Sequence, residues 1–145
     1  MLFRSPYAGG GPALKDLIDG KVQMMFEPMS ASIGPIRSGA LRALAVTTAE
    51  RSPALPGIPT MAESVPGFEA SAVTGIGVPA ATPIAIVERL NKEITAAYAE
   101  PQMKARLADT GGEMLTGSPA EFRKLLAGEI EKWAKVVKAS GTKPD

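Results

Sequence analysis

Short apolar runs alternate with segments of helical periodicity along the first half of the chain, and this alternation narrows the fold more than any other feature. Residues 11–18 place apolar side chains on one helical face, with Pro12 suited to the first turn and Gly20 to the stop. Residues 21–26 (KVQMMF) and 41–48 (LRALAVTT) are compact apolar runs typical of buried strands. Because a helical segment separates the two runs, the pattern predicts an α/β fold with a parallel or mixed sheet flanked by helices.

Proline and glycine residues interrupt regular structure in the segments that follow. A second short helix is predicted over residues 30–37, with a kink or an early stop at the adjacent Gly34 and Pro35. Residues 51–69 are rich in proline, which fixes φ and withdraws backbone donors. This stretch is expected to be an extended or turn-rich connection, with at most a short helix near residues 60–65.

The second half of the chain is predicted to be mostly helical. Residues 70–78 (ASAVTGIGV) are expected to form a strand that leads to a helix capped by Thr82 with Pro83 at its first position. A shorter helix stops at Gly111, and residues 112–117 are a candidate last strand. The helical stripes are Ile84, Val87, Leu90, Ile94 and Tyr98, then Met103 and Leu107, and finally Phe122, Leu125, Leu126, Ile130, Trp133 and Val137 after a capping box of Ser118 and Glu121.

Composition excludes several classes of function. The chain has 145 residues and is 45% hydrophobic, which is enough for one real core in one domain or two small lobes. Its 16 Lys and Arg nearly balance its 15 Asp and Glu, so no strong field attracts nucleic acid. The absence of cysteine and histidine excludes disulfides, thiol nucleophiles and a Ser-His-Asp triad. No cluster of metal-ligand residues is visible, and no catalytic residue, metal site or cofactor is predicted.

Three consecutive glycines precede the first predicted helix and are the main candidate for a binding site. If the helix is capped by Gly11, unsatisfied amides near its start lie beside its positive dipole end and favour a carboxylate. Glycine lets the ligand oxygens approach the amides without a β-carbon in between. The alternative is a tight strand-to-helix turn without a ligand. The candidate ligand-binding residues of this segment are Tyr7, which adds a hydroxyl, and Gly9, Gly10, Gly11, Ala13 and Leu14, which supply or adjoin the amides.

Glu27 is the second candidate, because it ends a predicted strand where open α/β sheets keep their ligand crevice. Its carboxylate would accept a ligand ammonium or hydroxyl, or repel the wrong anion; the alternative is a solvated acid placed before a helix. Ser30 and Ser32 are candidate donors to the ligand or helix caps. Thr47 and Thr48 line the same cleft or simply end a strand.

Five segments in order resemble the Bug/TctC family, the periplasmic solute-binding proteins of tripartite tricarboxylate transporters. They are PYAGGGPALKDLIDGKVQMMFEP, IRSGALRALAVTTAERSPALPGIPTMAE, PGFEA, GVPAATP and EIEKWAKVVKASG, and the resemblance covers essentially the whole chain. It implies a type II-like periplasmic-binding-protein clamshell, in which the glycine loop belongs to the carboxylate-binding cleft of the second lobe. Family members usually have an acidic residue followed by an amide where this chain has Glu27 and Pro28.

The resemblance also implies a domain organisation and partners. The chain is expected to be a C-terminal portion with the first lobe largely missing: residues 1–72 continue the second lobe, and residues 73–145 return to the first. The implied partners are a small carboxylate ligand and the membrane subunits of the transporter. Location in the periplasm follows from the resemblance alone, since no charged-then-apolar leader precedes Phe3.

Self-association is a further expectation. The stripe that holds Trp133 and Phe122 is interpreted as core. Without a first lobe, part of this stripe and of the segment 70–78 would lose its packing partner, and exposed apolar area favours a homodimer, with exchange of C-terminal helices as one route. The alternative function is then a truncated lobe that self-associates and binds ligand weakly or not at all. A small α/β enzyme is the remaining, less favoured class.

Overall fold

The computed structural model describes residues 5–141, and α-helices account for most of their regular structure. The helices are α1 (Gly10–Ile18), α2 (Met29–Arg37), α3 (Ile84–Ala99), α4 (Pro101–Asp109) and α5 (Pro119–Ser140), with a turn of 3₁₀-helix at Met61–Glu63. The short helix expected near residues 60–65 is thus confirmed. Within the described residues, no helix has both the length and the apolar character needed to cross a membrane.

The first two helices begin slightly earlier than predicted. Gly9, not Gly11, is the N-cap of α1. Pro12 therefore lies in the third helical position, which is tolerated because the amides of the first turn need no intrahelical acceptor. Helix α2 continues through Pro35 to Arg37, so the early stop predicted there is wrong.

The ends of the later helices test the capping predictions. Pro83 is the N-cap of α3 and no side chain caps the helix, so the prediction of a Thr82 cap is wrong. The capping box of α5 is confirmed: the Glu121 amide donates to Ser118 Oγ at 3.2 Å, and the Ser118 amide donates to Glu121 Oε2 at 2.7 Å. Gly111 follows α4 with φ +73°, a left-handed conformation that suits glycine and ends the helix as predicted.

The predicted sheet is not confirmed, because none of the four expected strands forms among residues 5–141. Strand-like pairing is limited to a parallel bridge between Val46 and Thr60. There the Val46 amide donates to Pro59 O and the Met61 amide donates to Val46 O, both at 2.9 Å. Close by, the Ala70 amide donates to Thr47 O, also at 2.9 Å.

The missing strands follow from missing partners. A strand exists only where a neighbouring segment receives its amide and carbonyl bonds. Residues 23–27 form no backbone hydrogen bond with any described residue, and the amides of Lys21 and Val22 donate to Asp16 O at the end of α1. The apolar pattern of residues 21–26 is therefore present without a ladder, and it leaves Met24 and Phe26 exposed.

Two compact units divide the described residues. The first unit holds residues 5–75 and Gln102–Glu113, and it contains α1, α2, the 3₁₀-helix and nearly all of α4. The second unit holds Ile76–Pro101 and residues 114–141, where α3 and α5 contact each other. The division of the chain into lobes at residues 1–72 and 73–145 stays a prediction.

Few apolar side chains are buried in the part of the chain that the structure describes. The buried ones are Ala13, Ile33 and Val46, all in the first unit. In α5, Phe122 and Leu125 are half-buried, whereas Trp133 is 39% and Ile130 is 70% exposed. The interpretation of the whole α5 stripe as core is therefore wrong for this structure, because α3 covers only part of the α5 surface.

Candidate functional site

The glycine turn, residues 9–11, places free amides at the start of α1. Gly9 is the N-cap, and no amide of the turn donates to another described residue. The next residue, Pro12, has no amide hydrogen. The free amides of residues 9–11 therefore lie at the positive end of the α1 dipole. Added β-carbons would meet nothing within 4 Å at Gly9 or Gly11, which leaves the turn open to a ligand.

Ala13 and Leu14 follow the glycine turn within α1, and only Leu14 differs from the prediction. With α1 starting at Gly10, the Leu14 amide falls inside the hydrogen-bonded part of the helix, whereas no hydrogen bond links the Ala13 amide to another described residue. Ala13 is only 8% exposed, and its methyl group belongs to the core of the first unit. A contribution of the Ala13 amide to ligand binding stays a prediction.

Glu27 lies against the glycine turn. Its Oε1 and Oε2 atoms are 2.9 and 3.4 Å from the position that a β-carbon on Gly10 would take. Since α2 begins at Met29 with Pro28 as its N-cap, the start of α2 is brought close to the start of α1. The Glu27 carboxylate, which belongs to the residue before the α2 N-cap, therefore lies beside the positive end of α1. The half-buried Glu27 forms no hydrogen bond or ion pair with another described residue.

Tyr7 is tied to the far end of α1. Its hydroxyl donates to Asp16 Oδ2 at 3.1 Å, and Lys21 Nζ donates to Asp16 Oδ1 at 2.7 Å. Partial burial and the hydrogen bond to Asp16 raise the pKa of Tyr7. The hydrogen bond from Lys21 is the main reason that the pKa of Asp16 is lowered, and the same bond raises the pKa of Lys21.

Asp16 and Lys21 were not identified from the sequence. Neither stands in a recognised motif, and their contact closes around the turn at Gly20, which has φ +75°. A lysine that follows a helix-ending glycine was the available signal, because lysine favours the negative end of a helix. The partner of Tyr7 had no comparable signal in the sequence.

The hydroxyl groups near α2 and after residue 46 differ in their availability. Ser30 is exposed in the first turn of α2, and its hydroxyl makes no bond within residues 5–141. Ser32 is buried and donates to Pro28 O, the carbonyl four residues earlier, at 3.4 Å, and neither serine caps α2. Thr48 Oγ1 donates to Glu50 O at 2.6 Å, so that hydroxyl is used locally. Ser30 therefore remains open to a ligand, and the hydroxyl of the half-buried Thr47 also makes no bond to another described residue.

A separate cluster holds the proline-rich segment in place. Arg51 donates to both carboxylate oxygens of Glu63, at 2.8 and 2.6 Å, and the Thr60 amide donates to Glu63 Oε1 at 2.9 Å. The Arg51 hydrogen bond, followed by that of Thr60, lowers the pKa of Glu63 to about 2. We interpret this cluster as structural, since both carboxylate oxygens of Glu63 already accept hydrogen bonds. Across the described residues, no three His, Cys, Asp or Glu side chains are grouped to hold a metal ion.

Comparison with known proteins shows the family to which this chain belongs. Residues 2–142 match TctC, described as the tripartite tricarboxylate transporter family receptor. The chain is 39% identical to Protein BugT of Bordetella pertussis (strain Tohama I) over 139 residues, which is 95% of this chain and 43% of BugT. The chain therefore belongs to the TctC family, also represented by the Bug proteins, as the resemblance implied.

Two solved structures are similar to the fold. The periplasmic binding protein BugD matches with a TM-score of 0.88 and 34% identity, over 97% of this chain and 48% of BugD. MatC from Rhodopseudomonas palustris, solved with bound malate, matches with a TM-score of 0.79 and 33% identity, over 92% of this chain and 47% of MatC. The chain thus spans a little under half the length of BugT and of both solved proteins. Its fold is that of part of a periplasmic solute-binding protein.

Proposed function

We propose that this chain captures a small carboxylate-bearing metabolite in the periplasm and passes it, chemically unchanged, to the membrane subunits of a tripartite tricarboxylate transporter. The observation that carries the proposal is the glycine turn, whose three amides are free beside Glu27 and the start of α2. Backbone amides at a helix start bind an anion without a cationic side chain. The family match supports the receptor role, and the transporter and the periplasmic location are part of the proposal.

The proposed site has two parts: donors that bind a ligand carboxylate, and an acceptor for a ligand hydroxyl or ammonium. The amides of Gly9, Gly10 and Gly11 bind one ligand carboxylate, with the Ser30 hydroxyl as a further donor. The Glu27 carboxylate accepts a hydrogen bond from a ligand hydroxyl or ammonium and repels a second anionic group placed beside it. Binding requires no reacting side chain, which agrees with a receptor rather than an enzyme.

Isothermal titration calorimetry tests the proposal with malate, because malate is the ligand named for MatC, a structure similar to this chain. The panel adds citrate, succinate and, as the control, the uncharged diamide of malate. The proposal expects one or more acids to bind with a defined stoichiometry and the diamide to give no heat. The proposal is contradicted if none of the acids gives a heat of binding, or if the protein converts any of them to a product.

A second candidate function is a self-associating lobe that binds ligand weakly or not at all. It is favoured by the exposed apolar surface of α5, where Ile130 is 70%, Val137 46% and Trp133 39% exposed. Contiguous apolar surface of this kind is normally covered by protein. We propose that a second copy of the chain covers it, through exchange or pairing of the C-terminal helices.

Light scattering after size exclusion tests self-association across a dilution series. The expected result is a dimer that dissociates on dilution and is lost in Ile130→Glu, whereas Glu131→Gln on the same helix leaves it intact. A monomer at every concentration contradicts this second candidate. A dimer that also binds malate confirms the self-association but contradicts weak or absent ligand binding, and so supports the receptor function.

A further inference from the structure

Asp16 forms hydrogen bonds with the two segments that flank the candidate site. Its carboxylate receives the Tyr7 hydroxyl at 3.1 Å and Lys21 Nζ at 2.7 Å. Its carbonyl oxygen accepts from the amides of Lys21, at 2.9 Å, and Val22, at 3.4 Å. One residue near the end of α1 therefore binds the segment before the glycine turn and the segment that leads to Glu27.

We infer that Asp16 is a positioning residue of the ligand site, which fixes the glycine turn through Tyr7 and the approach to Glu27 through Lys21. This inference rests on the proposed function, because it assigns a role in carboxylate binding to a residue that does not itself reach the ligand. Tyr7 lies two residues before Gly9, so its bond to Asp16 limits how far the turn can move away from α1.

The bond to Asp16 also decides what Tyr7 offers to a ligand. A phenol has one proton to donate, and here that proton is directed to Asp16 Oδ2. While this bond is kept, Tyr7 presents only oxygen lone pairs to the ligand, as Glu27 does. The preferred ligand is therefore one that carries a hydrogen-bond donor, a hydroxyl or an ammonium, next to the carboxylate held by the glycine turn.

Asp19 provides a matched control for the test. It also ends α1 and pairs with the same lysine, since Lys21 Nζ is 3.6 Å from Asp19 Oδ2, and it binds Lys15 at 2.5 Å. It forms no hydrogen bond with Tyr7 among the bonds of the described residues. Asp16→Asn and Asp19→Asn therefore remove the same charge near the same helix end, and only the first weakens the Tyr7 contact.

The first measurement is the titration of Tyr7, followed by ultraviolet absorbance of tyrosinate in a Tyr98→Phe background that leaves one tyrosine. A neighbouring carboxylate disfavours tyrosinate, so Asp16→Asn is expected to lower the pKa of Tyr7 toward its ordinary value. Asp19→Asn is expected to leave that pKa unchanged. An unchanged pKa in Asp16→Asn overturns the inference, because the contact is then not formed in solution.

The second measurement is calorimetric titration with malate. Asp16→Asn is expected to weaken malate binding by about threefold to tenfold, the effect of loosening one exposed charge-assisted hydrogen bond, and Asp19→Asn by less than about twofold. Tyr7→Phe should cause a similar loss, and the double variant Tyr7→Phe with Asp16→Asn should lose no more than either single one, because the two residues act as a unit.

The outcomes separate the inference from the proposed function. A lowered Tyr7 pKa with unchanged malate affinity shows that the contact is only structural and overturns the positioning role. Failure of the parent chain to bind malate or the other acids contradicts the proposed function, and the positioning role is overturned with it. The tyrosine titration then still decides whether the Tyr7–Asp16 contact exists.

Discussion

The carboxylate of Glu27 lies over Gly10 at the start of α1, with Oε1 2.9 Å from the position that a β-carbon would take. This contact brings the start of α2 next to the glycine turn and places one negative charge beside the positive end of α1. A ligand carboxylate that binds the same amides must share this space with Glu27. The charge of the rest of the ligand then determines whether Glu27 assists or opposes binding.

Replacing Glu27 tests this charge selection directly. Malate and aspartate share a dicarboxylate skeleton and differ in a hydroxyl or an ammonium at one carbon. Glu27→Gln is expected to lower the affinity for aspartate relative to malate by about threefold to tenfold, because a partly solvated charge pair is worth about 1 kcal/mol. Calorimetric titration of both acids with both proteins measures the ratio. An unchanged ratio in Glu27→Gln means that Glu27 does not face the ligand.

Alanine at two neighbouring positions of the glycine turn should have different effects. An added β-carbon at Gly11 meets open space, so Gly11→Ala is expected to stabilise α1 by about 0.5–1 kcal/mol through helix propensity. At Gly10 the same methyl group displaces the Glu27 carboxylate, which offsets that gain. Urea unfolding of the two variants measures the difference in the free energy of unfolding. Equal stabilisation by both changes would show that the Glu27 contact is absent in solution.

Gly111 is expected to be the glycine that least tolerates a side chain. It has φ +73°, and its β-carbon would collide with Met29, whose Cγ lies 2.8 Å from that position and whose Sδ is closer still. Gly39 is a matched control, because its φ is +78° and its β-carbon would meet nothing within 4 Å. Gly39→Ala should cost about 1–2 kcal/mol, and Gly111→Ala about 1 kcal/mol more. Urea unfolding checks both, and equal costs contradict the Met29 contact.

The pH dependence of stability should include a contribution from Glu63. Its pKa is lowered in the folded protein to about 2, chiefly by the hydrogen bond from Arg51. A depressed folded pKa contributes stability above the ordinary pKa of the carboxyl, and that contribution is lost as the pH falls toward the folded value. Stability is therefore expected to fall between about pH 5 and pH 2 by more in the parent chain than in Glu63→Gln.

Thermal unfolding across this pH range checks the Glu63 prediction. Glu69→Gln is the control, since Glu69 is exposed and forms no hydrogen bond or ion pair with another described residue. Its pH profile should follow that of the parent chain. A parent profile that coincides with that of Glu63→Gln would show that the Arg51 contact does not stabilise the fold.

Local signals in the sequence predicted the helices well. The capping box of Ser118 and Glu121 located the start of α5, and the glycine at position 111 located the stop after α4. Both signals act within a few residues of the chain, so the sequence contains all the groups involved. The glycine turn was found for the same reason, although Pro12 shifted its expected N-cap by two residues.

Long-range relations were harder to predict. Residues 21–26 have the apolar pattern of a strand, but a strand also needs a partner, and the sequence pattern does not contain the partner's position. The burial of Trp133 was overestimated because periodicity identifies an apolar face without showing what covers it. The contact between Tyr7 and Asp16 joins residues on opposite sides of the turn, and only the structure revealed it.

Chemical-shift mapping is the sharpest test of carboxylate binding at the glycine turn, because it observes the glycine amides themselves. Malate is added to the isotope-labelled chain, and the amide signals are followed by NMR. We expect saturable shifts at Gly9, Gly10 and Gly11, with the amide of Gly128 in α5 unaffected. Unchanged signals from the glycine turn at saturating malate, or shifts confined to other residues, would contradict it.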